Sequence, residues 1–346
     1  MKLTVSTTIR LTGDVMTRLL LVLMGILIVP SMGVSQDTKL SFDKRLTDYE
    51  YPFEASIHQF SSQRHDLEMA YMYLPASDKS KPVVTLLHGK NFTGAYWEDT
   101  AKWLRGQGYG VLIPDQIGFG KSSKPKDYQY SFAALASNTK GLLSSLKIDE
   151  TIVVGHSMGG MLASRFALLY PHATERLVLV NPIGLENYLQ YVQYKDADFF
   201  YHNELNQSPE KIVSYQKKNY YDGEWNDDFA LLTQPLVGWV QGPDWKDIAY
   251  VNALTYDMIF TQPVVEEFKD FQVPVCLILG TRDRTGPGRN WKRDGVEYEL
   301  GRYDQLGTKV KARNPDIEVV ELPGLGHLPH IENSALFQEA FELGLK

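Results

Sequence analysis

A serine between two glycines is the position where the sequence most clearly indicates chemistry. The segment GHSMG at residues 155–159 has the pattern G-x-S-x-G and stands between the apolar run Ile152–Val154 and a stretch of helical periodicity. A sharp strand-to-helix turn exposes the serine oxygen at a helix N-terminus, where the helix dipole favours developing negative charge. Small flanking glycines leave room for that turn. The pattern therefore predicts that Ser157 is a nucleophile.

A nucleophilic serine needs a base, and the base needs a carboxylate that orients it. His327 stands in a Gly-rich loop after the last apolar run, and Asp283 stands in the loop after the buried run Val275–Leu279. We predict that His327 takes the proton of Ser157 and that Asp283 fixes the tautomer of the imidazole. The competing side chains, which are placed less favourably along the chain, are His330, Asp304 and Asp316.

The loop LHGKN at residues 87–91 follows another buried apolar run. Acyl transfer develops negative charge on the carbonyl oxygen, and two backbone N–H groups must face that charge. The N–H of Met158, next to the nucleophile, is predicted to be one donor, and the N–H of Lys90 the other. His88 is predicted to be a structural hydrogen-bonding residue under this loop.

Composition and spacing argue against several other kinds of chemistry. No group of His, Cys, Asp and Glu has metal-ligand spacing, and residues 115–122 lack the spacing of a phosphate-binding loop, so we predict neither a metal nor another cofactor. The net charge is -7 and no long basic run occurs, which argues against nucleic acid as a partner. The predicted partner is a small-molecule substrate. The single cysteine, Cys276, cannot form an intrachain disulfide.

Short apolar runs and helical stretches alternate along the chain and would position these residues. Runs rich in Val, Ile and Leu are typical of strands buried on both faces, and their alternation with helices predicts a mostly parallel sheet. The predicted buried strands are Val83–Leu87, Val111–Ile113, Ile152–Val154, Leu177–Val180, Val275–Leu279 and Ile317–Leu322. The predicted edge strands are Ala55–Phe60 and Leu67–Leu74. The predicted helices are Thr100–Gln107, Ser131–Leu146, Met158–Leu169 and Ala335–Leu345.

The alternation stops after Asn181 and resumes near Gln262. We predict that residues 182–262 form an inserted cap over the carboxyl ends of the strands, where open α/β sheets bind ligands. The cap divides the core into residues 36–181 and 263–346. Its aromatic side chains favour an apolar or aromatic substrate, unless they pack on one another. The aromatic residues considered for this role are Tyr188, Tyr191, Tyr194, Phe199, Trp225, Trp239 and Trp245.

The N-terminus has the features of a secretory signal peptide. A basic residue precedes the apolar run Leu19–Val29, and small residues follow it before Gln36. The run is shorter than the roughly 20 residues that span a bilayer. We therefore predict a signal peptide at residues 1–35, with export to the periplasm or the exterior and no stable membrane insertion after cleavage. An uncleaved anchor is the alternative, and Met16 is a second possible start.

Together, these motifs resemble the α/β-hydrolase superfamily over about residues 55–345. The residues that carry the resemblance are His88-Gly89, Asp115 with Gly118, Gly120 and Ser122, the segment Gly155–Gly160, Asp283 and His327. The resemblance implies a mostly parallel eight-stranded sheet flanked by helices, with an inserted helical cap. It is closest to the capped branch that contains small-molecule esterases, meta-cleavage C–C hydrolases, epoxide hydrolases and haloalkane dehalogenases. The last two use an Asp nucleophile, so Ser157 argues against both.

Four functions are compatible with this pattern. Hydrolysis of a carboxylic ester through an acyl-enzyme is the first prediction, and meta-cleavage-type C–C hydrolysis is the second. Amide or peptide hydrolysis is the third, and a non-catalytic ligand-binding receptor is the alternative outside enzymes. Two departures from the family pattern are expected to matter. An insertion is predicted at Gly286–Lys311, and the loop after His88-Gly89 lacks the Gly-rich sequence of many lipases.

Overall fold

The apolar runs form one eight-stranded sheet with the strand order β1-β2-β4-β3-β5-β6-β7-β8. The strands are β1 Ala55–Ser62, β2 His65–Leu74, β3 Val83–Leu87, β4 Gly110–Pro114, β5 Thr151–His156, β6 Thr174–Val180, β7 Val275–Gly280 and β8 Glu318–Leu322. Strand β2 pairs antiparallel with β1 and β4, and all other neighbours are parallel. The prediction of a mostly parallel sheet flanked by helices is confirmed.

This architecture comes from a computed structural model that describes residues 40–346. The predicted signal peptide and the predicted cleavage position before Gln36 lie outside the described residues. Among the described residues, no helix is long and apolar enough to cross a membrane. The described part of the chain also has no group of three or more His, Cys, Asp or Glu side chains arranged to hold a metal ion.

Helices cover both faces of the sheet because alternate strand residues point to opposite sides. On one face of β5, Val153 belongs to an apolar cluster with Leu135 and Phe166. On the opposite face, Ile152 belongs to a second cluster with Leu104. The helices are α1 Glu98–Gly106, α2 Phe132–Ser145, α3 Met158–Leu169, α4 Ala197–Leu205, α5 Pro209–Asn219, α6 Asp227–Val240, α7 Trp245–Thr261, α8 Tyr303–Arg313, α9 Pro329–Glu332 and α10 Ser334–Gly344.

Four helices, α4 to α7, separate β6 from β7 and lie within residues 182–262. Three of them begin at a polar side chain that accepts a hydrogen bond from the first helical turn, and these caps are Asp196, Ser208 and Asn226. The chain before β1 packs on α6 and α7, where Phe42 and Leu46 join Trp239 and Trp245 in one apolar cluster.

The predicted insertion Gly286–Lys311 is wrong in its second part. From Tyr303 onward the chain forms α8, which packs on β7 and β8 as the crossover between these parallel strands. Tyr303, Leu306 and Val310 are buried at helical spacing, and the surrounding charged residues obscured this pattern in the sequence. The irregular connection therefore ends at Arg302.

Candidate active site

The turn between β5 and α3 places Ser157 in a strained backbone conformation with φ 55° and ψ -122°. A side chain on the flanking glycines would collide with backbone. A Cβ on Gly155 would lie 2.1 Å from the carbonyl oxygen of Gly159, and a Cβ on Gly159 would lie 2.3 Å from the carbonyl oxygen of Leu87. The G-x-S-x-G spacing is thus required by the close approach of this turn to its neighbours.

One hydrogen-bonded line joins the three residues that the sequence placed far apart. Ser157 Oγ lies 3.0 Å from His327 Nε2, and His327 Nδ1 lies 2.7 Å from Asp283 Oδ2. An ionised carboxylate can only accept, so Nδ1 carries the imidazole hydrogen and Nε2 is free to accept from the serine hydroxyl. The side chains of Asp283 and His327 are almost completely buried. This arrangement can deprotonate a serine as it attacks a carbonyl.

The carboxylate of Asp283 has two further donors besides His327. Asn181 Nδ2 donates to Oδ2 at 2.9 Å, and the N–H of Thr285 donates to Oδ1 at 2.7 Å. Burial alone would raise the pKa of Asp283, but the adjacent imidazole and these hydrogen bonds outweigh it and hold the pKa below its usual value. The sequence analysis missed Asn181. This residue directly follows β6 and therefore lies at the same edge of the sheet as the loop that contains Asp283.

A second chain of hydrogen bonds supports the line from behind. The N–H of Gly89 donates to the hydroxyl of Tyr96 at 2.9 Å, and His156 Nδ1 lies 2.9 Å from the same oxygen. His156 Nε2 lies 2.7 Å from the carbonyl oxygen of His327, which can only accept, so Nε2 donates. Burial lowers the pKa of His156 and keeps the ring neutral, so Nδ1 accepts from the Tyr96 hydroxyl. The loop after β3, the nucleophile turn and the loop of His327 are thereby tied together.

The two predicted oxyanion donors have unused N–H groups. Within residues 40–346, neither Lys90 nor Met158 donates a hydrogen bond from its backbone N–H. Gly89, beside Lys90, lies against the nucleophile turn, since a Cβ there would be 3.1 Å from Ser157 Cβ. The structure therefore brings the loop that contains Lys90 to the nucleophile turn, as an oxyanion hole requires.

The side chain of Lys90 has a structural role that sequence reasoning did not foresee. Its ammonium is buried and donates to the carbonyl oxygen of Asn252 at 2.8 Å and to Thr255 Oγ1 at 2.7 Å, both on α7. Burial lowers the pKa of Lys90 to about 7, against the opposing effect of the nearby Glu204 carboxylate. The side chain thus links the loop after β3 to the cap helices.

The other candidates from the sequence make no hydrogen bond to this line. His88 is buried and its Nε2 accepts from the N–H of Gln116 at 3.1 Å, which is the structural role predicted for it. His330 is buried against Trp97, and neither ring nitrogen has a hydrogen-bond partner in the described part of the chain. Asp304 pairs with Arg302 at the surface, and Asp316 is exposed.

A cap residue that the sequence analysis did not name contacts the imidazole. The ring of Tyr220, at the end of α5, stacks on His327 with a centroid distance of 4.9 Å. Its hydroxyl accepts from Asn91 Nδ2 at 3.3 Å, so it also contacts the loop after β3. No spacing in the sequence relates position 220 to the catalytic line, because the contact depends on how α5 packs.

A cavity of about 490 Å³ opens beside Ser157. Its aromatic lining comes from Tyr215, Tyr220, Tyr256, Phe260 and Trp291, and residues 285–291 all line it. None of the seven aromatic residues considered from the sequence lines this cavity. Some of them pack on other side chains instead, since Tyr188 contacts Phe260 and Tyr191 stacks on Tyr298, whereas Tyr194 is exposed. An aromatic-lined pocket is present, but the predicted residues do not build it.

Comparison with known proteins places the chain beside hydrolases. Residues 82–287 match the family model described as the alpha/beta hydrolase fold. A solved structure of a probable hydrolytic enzyme from Pseudomonas aeruginosa PAO1 is 43% identical, with a TM-score of 0.86. That alignment covers 89% of this chain and 99% of the Pseudomonas chain.

Two curated relatives add less complete matches. An uncharacterized protein of Mycobacterium bovis is 39% identical over 106 residues, and the match spans 31% of this chain and 30% of the relative's length. Lipase 3 of Moraxella sp. is 26% identical over 311 residues, covering 84% of this chain and 89% of the lipase.

Proposed function

Because the chain belongs to the α/β-hydrolase-fold family, we propose that it is a serine hydrolase that cleaves a small carboxylic ester through an acyl-enzyme intermediate. The observation that carries this proposal is the hydrogen-bonded line from Ser157 through His327 to Asp283, with distances of 3.0 and 2.7 Å. A serine held in this way at the end of a cavity is suited to attack a carbonyl carbon.

In the first half of the reaction, Ser157 Oγ attacks the ester carbonyl while His327 Nε2 takes the hydroxyl proton. Negative charge then develops on the carbonyl oxygen, facing the free N–H groups of Lys90 and Met158. Collapse of this tetrahedral species breaks the ester C–O bond, and His327 returns the proton to the departing alcohol. Asp283 stabilises the transient imidazolium.

In the second half, a water molecule gives its proton to His327 Nε2 and attacks the acyl-serine carbonyl. The oxyanion forms again at the same two N–H groups, and collapse releases the carboxylic acid while His327 returns the proton to Ser157 Oγ. The water must reach the acyl group through the cavity, which is lined by cap residues and by residues 285–291.

Three observations favour ester hydrolysis by a serine route. The nucleophile turn contains Ser157, not an aspartate, so a serine ester is the covalent intermediate that this turn can form. The Moraxella relative, matched over 84% of this chain, is a lipase by name. The cavity of about 490 Å³ fits a small substrate.

A serine-reactive fluorophosphonate tests the nucleophile directly. We expect labelling of the parent protein and of Ser164→Ala, which removes another buried serine on α3. We expect no labelling of Ser157→Ala, and labelling of that variant would place the nucleophile elsewhere. Turnover of a panel of aryl esters is then compared with turnover of a dienone-type C–C substrate. Turnover of the dienone alone would show that the reaction is C–C hydrolysis and not ester hydrolysis.

We also propose that the enzyme is exported. The support is the sequence alone: a basic residue, the apolar run Leu19–Val29 and small residues before Gln36. N-terminal sequencing of protein recovered outside the cytoplasm should begin at or near Gln36. An intact N-terminus in a membrane fraction would indicate an uncleaved anchor instead.

A further inference from the structure

The cavity beside Ser157 has an unusual balance of charge for this chain. The whole chain has 42 acidic and 35 basic residues. The cavity wall reverses that balance, because its charged residues are Lys90, Lys218 and Arg289 and no Asp or Glu belongs to the wall. Both insertions contribute, since Lys218 lies on α5 and Arg289 lies in the loop after Asp283. The wall is therefore basic and aromatic.

The three cations are not equivalent. The Lys90 ammonium is already engaged by Asn252 and Thr255, and Glu204 lies close enough to affect its pKa. These neighbouring groups thus offset the positive charge of Lys90. It serves the packing of the loop after β3 on the cap and is not free to bind a ligand.

Lys218 and Arg289 differ from Lys90 because both are exposed and neither has a carboxylate within 4.0 Å among the described residues. The Arg289 guanidinium has one partner, the carbonyl oxygen of Arg284, which leaves most of its donors free. Burial raises the pKa of the Glu186 carboxylate, and Arg289 is close enough for its charge to oppose this rise, but the carboxylate lies beyond ion-pair distance of that guanidinium. Its Oε2 accepts from the N–H of Gly301, and its Oε1 has no hydrogen-bond partner among the described residues.

Lys218 and Arg289 are exposed, whereas Ser157, which lines the same cavity, is only 8% exposed. The cavity is also lined by the apolar and aromatic side chains of Tyr256, Ile259, Phe260 and Trp291. A ligand that fills this cavity would contact the buried nucleophile, an apolar surface and two solvent-exposed positive charges.

We propose that the substrate is an ester that carries an anionic group, in its simplest form a carboxylate, at the end remote from the scissile bond, and that Lys218 and Arg289 bind this group. The inference rests on the proposed function for the identity of the scissile bond. Arginine and lysine are suited to the task because their charged donors match carboxylate oxygens.

Two matched pairs of aryl esters test this inference, one with the charge on each side of the ester. The acyl-side pair is p-nitrophenyl hydrogen glutarate and p-nitrophenyl pentanoate. The alcohol-side pair is p-butanoyloxybenzoate and p-butanoyloxybenzamide. In at least one pair we expect kcat/KM to be about tenfold higher for the anionic ester than for the neutral ester, because one charge-assisted hydrogen bond contributes about that much. Added salt should reduce this preference, because it screens the charges.

The double variant Lys218→Gln, Arg289→Gln should lose this preference, measured as the ratio of kcat/KM for the anionic ester to kcat/KM for the neutral ester within each pair. The control Lys217→Gln, Lys292→Gln removes the same total charge from residues outside the cavity wall and should keep the preference. Equal kcat/KM within both pairs, or an unchanged preference in the first double variant, would overturn the inference.

Binding to Ser157→Ala separates the inference from the proposed function. Trp291 lines the cavity, so its fluorescence reports occupancy without turnover. Tighter binding of the anionic ester, together with no ester hydrolysis by the parent, would support the anion site and reject the ester hydrolase. Ester hydrolysis by the parent with equal binding of both members of each pair would reject the anion site alone.

Discussion

The core wall and the cap wall of the same cavity are built on different principles. The core wall consists of Ser157, which lines the cavity, and of Asp283 and His327, which hold Ser157 without lining the cavity themselves. These residues follow β5, β7 and β8, and each has a defined hydrogen-bond partner. On the cap wall, Tyr215 is 48% exposed and Lys218 has no ion-pair partner among the described residues. The core wall is fixed by buried polar contacts, whereas the cap wall depends on side chains that insertions bring over the site.

This difference indicates which residues govern the chemical step and which govern substrate binding. Parallel strands end at one edge of the sheet, so the residues that follow these strands come together there. Their positions do not depend on the structure of the cap. The cap wall has no such constraint, and its composition can change without displacing the catalytic line. Substitutions on the core wall are therefore expected to affect the chemical step, and those on the cap wall to affect binding.

The largest expected effect comes from removing the base. His327→Ala should lower ester kcat by about 10⁵-fold or more, because Ser157 then has no group to take its proton. His330→Phe is the matched control, since His330 is buried nearby without a hydrogen-bond partner in the described residues. It should retain kcat within a few fold. Steady-state kinetics on one aryl ester measures both, and a comparable loss in the two variants would break the comparison.

Next in size is the orienting carboxylate. Asp283→Asn should lower kcat by about 10⁴-fold, because an amide facing His327 Nδ1 can donate a hydrogen and so favours the wrong tautomer. The amide nitrogen then stands at the Oδ2 position, so Asn181 loses its acceptor while Thr285 keeps Oδ1. Circular dichroism should still show a folded protein. If kcat falls by less than tenfold, Asp283 does not act through the imidazole.

A buried histidine beside the core wall should also make the fold sensitive to acid. Burial and the neighbouring His327 lower the pKa of His330 from 6.5 to about 3, so the folded state keeps this ring neutral. Its contribution to stability is full above pH 6.5 and is lost as the pH falls toward 3, because only the unfolded state takes up the proton.

Between pH 7 and pH 5 this histidine should account for about 2 kcal/mol of lost stability. Denaturant unfolding at the two pH values measures the loss, and His330→Phe should lose about 2 kcal/mol less than the parent over that interval. An identical pH dependence in parent and variant would show that His330 does not remain neutral in the fold. Burial lowers the pKa of His88 and His156 as well, so part of the acid sensitivity should persist.

The smallest effect is expected on the cap wall. Trp291→Ala should raise KM about fivefold and leave kcat within twofold, because it removes aromatic contact with the substrate and leaves the catalytic line intact. Tyr194→Ala is the matched control, since Tyr194 is an exposed cap aromatic that does not line the cavity. A larger effect of Tyr194→Ala than of Trp291→Ala would place the substrate elsewhere.

The strands and the catalytic line were predictable because they depend on local pattern and on topology. The predicted run Val83–Leu87 is β3 without adjustment, and the motif around Ser157 lies between β5 and α3 as expected. A sheet buried on both faces demands continuous apolar runs, so these strands are marked in the sequence itself. The insertion after Asp283 was predicted too long because α8 has only a narrow apolar stripe among charged residues.

The sequence by itself determined the nucleophile motif and the order of strands and helices along the chain. It also determined the chain positions from which a base and an acid reach the serine. Only the tertiary structure decided which cap aromatics line the cavity, that Tyr220 stacks on His327, and that the cavity wall holds two cations without an ion-pair partner in residues 40–346. The physical reason is that strand ends converge by the rules of the sheet, whereas the faces presented by α4 to α7 are set by side-chain packing between segments distant in the chain.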